Sequence, residues 1–421
     1  MNVSSPSSST SSAVGRTAWL VVALLWPVAL LNYLDRQLLA NMKTSVMADI
    51  PSIGSDANWG MMLGQFKWVY AFLSPLGGYI ADRFSRRFTI CGSLFVWSAV
   101  TWVTGHVTTY ESLLWTRSLM GISEAFYIPA ALALISDYHS GPTRSRAVGM
   151  HQMAIYVGVI IGGFSGYVAD HPSYGWRAAF SAAGIAGLVY AFPLAFLLKD
   201  APPRLGADGL TLEKPTVFSS LRQLLTNGSF ILLVLYFTLP ALAGWVVRDW
   251  MPAILKQQFS LGQGKAGVSA TLYWQVAAII GALIGGWLAD RWMGRTIRGR
   301  IYVSAIGMCL IVPAMFGVGN AGSLVVAVSF LVLFGLGWGF FDCNNMPILC
   351  QIVPSQLRAT GYGLMNLVSI SCGGIADWGF GILQDAKVPL NVTFGVFAST
   401  AIVSVVLVLC IRPRRELVSG S

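Results

Sequence analysis

Long apolar runs broken by single charges constrain this chain more than any other feature. Ala18 to Leu31 and Leu113 to Ile135 are nearly continuous hydrocarbon. Yet Asp35-Arg36, Lys67, Arg117, Glu124, Arg248-Asp249 and Asp342 fall inside or beside such runs. An ionised side chain in a bilayer is costly, so it faces a partner or a water-filled path. Apolar runs carrying such charges therefore imply a polar cavity through a membrane-embedded bundle.

The chain is 55% hydrophobic and only 10% charged, against roughly 25% charged in a soluble domain. A bilayer-crossing helix needs about 20 mostly apolar residues. About twelve segments qualify, near residues 18–46, 58–81, 88–106, 112–137, 145–169, 176–198, 229–257, 263–291, 299–318, 322–350, 356–382 and 388–411. The expected fold is an all-α membrane protein with twelve transmembrane helices in two pseudo-symmetric six-helix bundles. The expected divisions are a disordered cytoplasmic tail at 1–17, bundles at 18–198 and 229–411, a cytoplasmic linker at 199–228, and a second tail at 412–421. The Ser-rich start lacks a charged region leading into a short apolar core and cleavage site, so the first apolar run reads as a retained helix rather than a signal peptide.

The net charge of +10 could suggest nucleic acid as a partner, but its distribution argues against this. With twelve helices and a cytoplasmic amino terminus, about 18 of the 27 Lys and Arg fall on the cytoplasmic side. Arg86, Arg87, Arg144, Arg146, Arg298, Arg300 and Arg412 are among them. Lys43, Arg177, Lys256, Lys265 and Lys387 fall on the other side. This bias places both termini in the cytoplasm of a multi-pass protein of the cell membrane, read as a bacterial inner membrane. The six cysteines and four histidines show no metal-ligand spacing. No cofactor is expected beyond a coupling proton.

An internal duplication organises the chain. Gly77-Gly78-Tyr79-Ile80-Ala81-Asp82-Arg83 recurs as Gly285-Gly286-Trp287-Leu288-Ala289-Asp290-Arg291. Asp35-Arg36 in the first helix is echoed by Arg248-Asp249 in the seventh. Glu124 precedes Pro129 by five residues, as Asp342 precedes Pro347. Six-helix repeats place a substrate site near the bilayer midplane, between the halves.

Gly78-x-x-Ala81-Asp82-Arg83-x-x-Arg86-Arg87 resembles the signature loop of the major facilitator superfamily, with Ser85 where glycine is usual. Arg117-x-x-x-Gly121-x-x-x-Ala125 is similar to its fourth-helix motif. Asn32-Tyr33-Leu34-Asp35-Arg36 and Gly121-x-x-Glu124-Ala125 resemble the branch that carries organic anions with protons or cations, including sugar-acid and carboxylate symporters. Phe126 stands where that branch often has proline, and Lys67 replaces a common aromatic residue. The Spinster-like branch shares a similar Asn-Tyr-x-Asp-Arg stretch and Gly-x-x-Glu-Ala.

Arg117 and Glu124 are seven residues apart on one helix face, about 10 Å along the axis. A guanidinium grips a carboxylate with paired hydrogen bonds. Arg36, Lys67 and Arg117, with Tyr33, are candidates for holding an anionic substrate, and the resemblance implies substrate contacts at Arg36 and Arg117. Arg117 could instead cap a helix end or pair with Glu111, and Asp35-Arg36 could be a permanent pair. Asp35 and Glu124 are candidates for proton coupling: when substrate engages the arginine, the carboxylate loses its counter-charge and takes up a proton. Trp274, Asn344, Asn345 and Asn366 are candidate hydroxyl-binding groups, or interhelical hydrogen-bonding residues. Asp82, Arg83, Asp290 and Arg291 are candidates for a conformational latch.

The leading expectation is a monomeric secondary transporter taking up a small organic anion with protons. The alternative is a Spinster-like carrier of a lipid or amphiphile. An enzyme or ATP-driven pump is disfavoured, because no Gly-x4-Gly-Lys-Ser/Thr loop or metal cluster is present. The repeat argues against a receptor or channel.

Overall fold

A computed structural model describes residues 8–139, 142–201 and 217–418. For 8–15, 78–83, 142, 145, 217–218, 355 and 418 it describes the backbone alone. Among the described residues, twelve long helical segments follow one another. In the first half they are α1 (Ser8–Asn41), α2 (Asp56–Arg83), α3 (Arg86–Thr104), α4 (Tyr110–Glu124 continued by Tyr127–Tyr138), α5 (Pro142–Gly163 continued by Ser165–Asp170) and α6 (Gly175–Leu197). In the second they are α7 (Gly228–Gln258), α8 (Gln263–Met293), α9 (Gly299–Gly319), α10 (Leu324–Ile352), α11 (Arg358–Asp385) and α12 (Leu390–Cys410).

Local chemistry explains several boundaries. Thr109 and Ser112 form a reciprocal capping box at the start of α4. Ser85, Asn227 and Ser323 cap α3, α7 and α10 through their side-chain oxygens. The break in α4 falls at Ala125-Phe126. Pro129 has no N–H to give the Ala125 carbonyl, and its ring crowds that oxygen. Two expectations shift at their edges: α1 is already helical at Ser8, and beyond Asn41 the chain starts a separate short helix, Lys43–Asp49. Within the 199–228 connection, Val217–Leu225 is helical and 202–216 lie outside the described residues.

Among the described residues, nine of these segments are apolar enough by themselves to cross a bilayer, while α2, α3 and α11 fall short. The charged α2 and α11 pack on each other, so each shields part of its polar face with protein rather than lipid. Within the first bundle α1 packs on α5, α3 on α6 and α2 on α4. Within the second, α8 packs on α10, α9 on α10 and α12, and α7 on α11 and α12. Across the bundles the contacts are α2 with α11, α5 with α8, and α1 with α7.

One face carries the ends of α6 and α12 and the start of α7; we call it the tail face, and its opposite the far face. At the far face one apolar core joins both bundles, with Leu39, Met42 and Val46 in the same cluster as Trp250, Met251 and Ala270. Toward the tail face the first bundle has its own separate core around Val22, Leu25, Trp97 and Tyr127. Glycines make the far-face closure possible. A Cβ on Gly64 would sit 2.8 Å from the Gly374 carbonyl oxygen, and one on Gly60 or Gly381 would strike backbone across the same seam. Trp68 Nε1 donates to the Ser371 carbonyl at 3.0 Å. Further along the same stripe of α2, Phe72 is 69% exposed and Leu76 46%. On α11 the corresponding tail-side residue Tyr362 is also exposed. The bundles therefore meet at the far face and part toward the tail face.

Candidate functional site: a charged cleft between the bundles

The parting bundles leave a central cleft of about 420 Å³, counting its open mouth, lined by Tyr33, Arg36, Gln37, Leu63, Phe66, Lys67, Arg117, Trp245, Arg248 and Asp249. Most of the charges singled out from sequence converge here, because α1, α2, α4 and α7 each turn polar positions inward.

The first bundle supplies a guanidinium–carboxylate centre. Arg36 Nε donates to Glu124 Oε2 at 2.6 Å, with the Glu124 side chain fully buried. The arginine does not pair with its neighbour Asp35, which instead accepts from Thr101 Oγ1 at 3.0 Å. The Arg36 guanidinium is held among rings, 4.7 Å from the centroids of Tyr33 and Tyr70 and 5.0 Å from Phe66. Arg117 lies 5.0 Å from the Phe66 centroid and is only 2% exposed, so it is neither a surface partner of Glu111 nor a helix cap. Its Nε and Nη1 are buried without hydrogen-bond partners, as is Nη2 of Arg36. Buried unpaired donors are costly, which makes them ready to receive an acceptor. Gly121 lets α4 come close to α2, since a Cβ there would lie 2.8 Å from the Phe66 carbonyl oxygen.

Lys67 is placed in the cleft but is not free. Its ammonium donates to Asp249 on α7 and Asp377 on α11, and it stands 4.2 Å from the Trp245 centroid. Asp377 was missed by the sequence reading. The available signal was a lone carboxylate inside the apolar segment expected at 356–382, masked by the small residues of Ser371-Cys372-Gly373-Gly374. Arg248 stacks 5.1 Å from Trp245, and its carbonyl accepts from Gln37 Nε2 at 3.1 Å. Asp342 is exposed on the tail-side wall of α10, where it acts electrostatically on Tyr156 and Tyr362.

The second-bundle candidates divide. Asn366 is half-buried on α11, one turn from the exposed Tyr362. Trp274 is instead packed in the second bundle's core, 5.8 Å from Phe334 by ring centroid. Asn344 donates to the Phe340 carbonyl at 3.0 Å, within its own helix. Asn345 is buried with both amide atoms unpartnered. These three are not among the cleft-lining residues. Inward-facing positions on α8 and α10 serve interhelical packing, which sequence spacing cannot separate from cavity lining.

At the tail face Asp290 accepts from Arg300 Nη2 at 2.7 Å, while Arg291 lies 5.8 Å from the Trp287 ring. The second-half pair thus runs from α8 to α9 rather than between sequence neighbours. The side chains of Asp82 and Arg83 lie outside the described residues.

Sequence and structure comparisons agree with this fold. A profile of the Major Facilitator Superfamily matches residues 25–376. The chain is 28% identical over 378 residues to Protein spinster of Drosophila melanogaster, covering 86% of this chain and 61% of that protein. The chain thus spans less than two thirds of that relative. It is also 28% identical over 376 residues to an MFS-type efflux pump of Mycolicibacterium smegmatis, covering 88% of this chain and 85% of the pump. A crystal structure of a bacterial homologue of the human lysosomal transporter Spinster, inward-facing and unoccupied, superposes with a TM-score of 0.77 at 20% identity, over 94% of this chain and 95% of that one. The profile spans most of the chain, and its fold has the two-bundle architecture found here. The chain therefore belongs to the Major Facilitator Superfamily and is a multi-pass secondary transporter, not an enzyme.

Proposed function

We propose that this protein moves a single-chain amphiphile with an anionic headgroup, a Spinster-like role, by alternating access coupled to protons. The observation that carries this is the mixed character of the cleft. Three guanidinium groups with unused donors, those of Arg36, Arg117 and Arg248, stand among Tyr33, Phe66, Tyr70 and Trp245. The tail-side wall below continues in exposed Phe72 and Leu76. A headgroup fits the cationic end, and an acyl chain fits the apolar wall. A small sugar acid would use only the first. The likeness to Spinster proteins points the same way.

Arg117 receives the headgroup with its free Nε and Nη1. Arg36 shares itself between headgroup and Glu124. As the anion draws Arg36 away, Glu124 loses its counter-charge and takes up a proton, so substrate and proton favour one another's binding reciprocally. Asp35, held by Thr101, is the second carrier. The tail face, which carries most of the basic loops, faces the cytoplasm.

The test is a thermal-shift and proteoliposome transport comparison of lysophospholipids and single-chain fatty anions against aldonates, uronates and dicarboxylates, with and without a proton gradient. Amphiphiles should stabilise the protein and be transported, and Arg117→Ala should weaken both effects. Stabilisation and transport by the short acids alone would overturn the amphiphile reading in favour of small-anion symport.

A further inference from the structure

Lys67 rides on α2 of the first bundle, whereas Asp249 and Asp377 ride on α7 and α11 of the second. Its ammonium bridges both carboxylates. The side chains of Lys67, Asp249 and Asp377 are 5%, 10% and 0% exposed. Gripping one ammonium, the two carboxyl groups are near neighbours. Oδ1 of Asp377 is buried with no hydrogen-bond partner, so the acidic pair has an unused ligand atom. The other charged or titratable groups around it are Tyr33 and Arg36 from α1, Arg117 from α4 and Arg248 from α7. Arg117 acts electrostatically on Asp249, and Asp342 of α10 interacts with Arg248. Toward the far face the next charges are Lys43, paired with Asp56 at 2.6 Å, and Asp385.

In a superfamily member the bundles rock about the central site. Opening the far face must part α2 from α11, and that withdraws Lys67. The carboxylates stay together, because α7 and α11 pack within one bundle. Two adjacent carboxylates cannot both stay ionised in a confined site without a counter-charge. We propose that Asp249 and Asp377 form a monovalent-cation site, filled by the tethered ammonium of Lys67 when the far face is closed and by a proton or sodium ion from the far medium when it is open. The cation competes with Lys67 and so drives far-face opening; its departure allows the lysine to seal the face again. This rests on alternating access but not on the substrate's identity. It is separate from the Arg36–Glu124 centre.

The experiment is a distance measurement by pulsed spin resonance on the full chain in lipid nanodiscs, with the native cysteines replaced. Labels go at Thr108→Cys and Gly322→Cys, exposed far-face turns of the first and second bundle. The ratio of far-face-open to closed molecules is read from pH about 8 to about 5 in choline chloride, and against sodium chloride at fixed pH. Acid or sodium should raise that ratio at least about fivefold, the low end of ordinary coupling between sites. A response to acid alone assigns the proton, and one to sodium assigns the ion. Asp249→Asn and Asp377→Asn should flatten the response. Lys67→Met should invert it, because sealing the face then needs the cation, and Lys67→Arg should keep the wild-type sign. A wild-type ratio indifferent to both cations overturns the proposal. So does a full response in both aspartate variants, or a Lys67→Met protein that opens without the inversion, since a plain latch behaves that way. If Lys67→Met proves too unstable to label, the aspartate variants decide.

Discussion

Gly64→Ala probes how the far face closes. The added methyl would lie 2.8 Å from the Gly374 carbonyl oxygen and 3.3 Å from Cη2 of Trp68. Carbon–oxygen contacts between packed helices normally settle at about 3.3–3.6 Å, so the helices must separate locally by roughly half an ångström. The first obstacle is backbone, which cannot swing aside as a side chain does. The seam is also pinned next to this position by Trp68 on Ser371 and by Lys67 on Asp377. Overpacking of this kind costs about 1–3 kcal/mol. The cost applies only while α2 and α11 are in contact, so it weighs against the far-face-closed state and leaves the opened state untouched. That free energy corresponds to a shift of about 5- to 150-fold toward far-face opening. The assay is the distance distribution between labels on the two far-face turns, or alkylation of a cysteine placed in the seam. Gly92→Ala is the control, since a Cβ there meets nothing within 4 Å. A Gly64→Ala distribution identical to wild type, in a protein that remains folded, would refute the claim that this seam decides the conformation.

Arg36→Ala should damage stability as well as binding, because it strands the buried Glu124 carboxylate; such a loss typically costs about 3–5 kcal/mol. Adding Glu124→Gln should restore much of the melting temperature without restoring substrate affinity, and a double mutant no more stable than Arg36→Ala would argue against that origin. Glu124→Gln alone should keep substrate exchange across proteoliposomes while losing proton-driven accumulation, as measured with and without an imposed gradient. Arg117→Ala removes two unpaired donors from the cleft, and losing charge-assisted bonds to the headgroup should weaken binding by about 1.5–3 kcal/mol in a titration of an anionic amphiphile. Asp290→Asn should change the melting temperature little, since its pair with Arg300 is 71% exposed on the carboxylate side and such pairs contribute at most about 1 kcal/mol.

Sequence by itself determined the membrane class, the duplication, and the convergence of Tyr33, Arg36, Lys67 and Arg117 on one cavity. It could do so because isolated charges in apolar runs have so few tolerable environments that their positions report a shared polar interior. The asymmetry of basic loops was equally legible: Lys43, Arg177, Lys256, Lys265 and Lys387 all fall at the far face, as their places in the helix order require. Tertiary structure alone decided who pairs with whom. Adjacent residues on a helix point about 100° apart, so Asp35 and Arg36 turned to different neighbours, Thr101 and Glu124. Lys67 looked like a free cation until α7 and α11 brought Asp249 and Asp377 to it across the bundle interface. Trp274 carries the same amphipathic chemistry as Trp245, yet one faces the packed core and the other the cleft. Rotation of each helix about its axis, set by ridges and glycine grooves on its neighbours, makes that distinction, and no single helix encodes it.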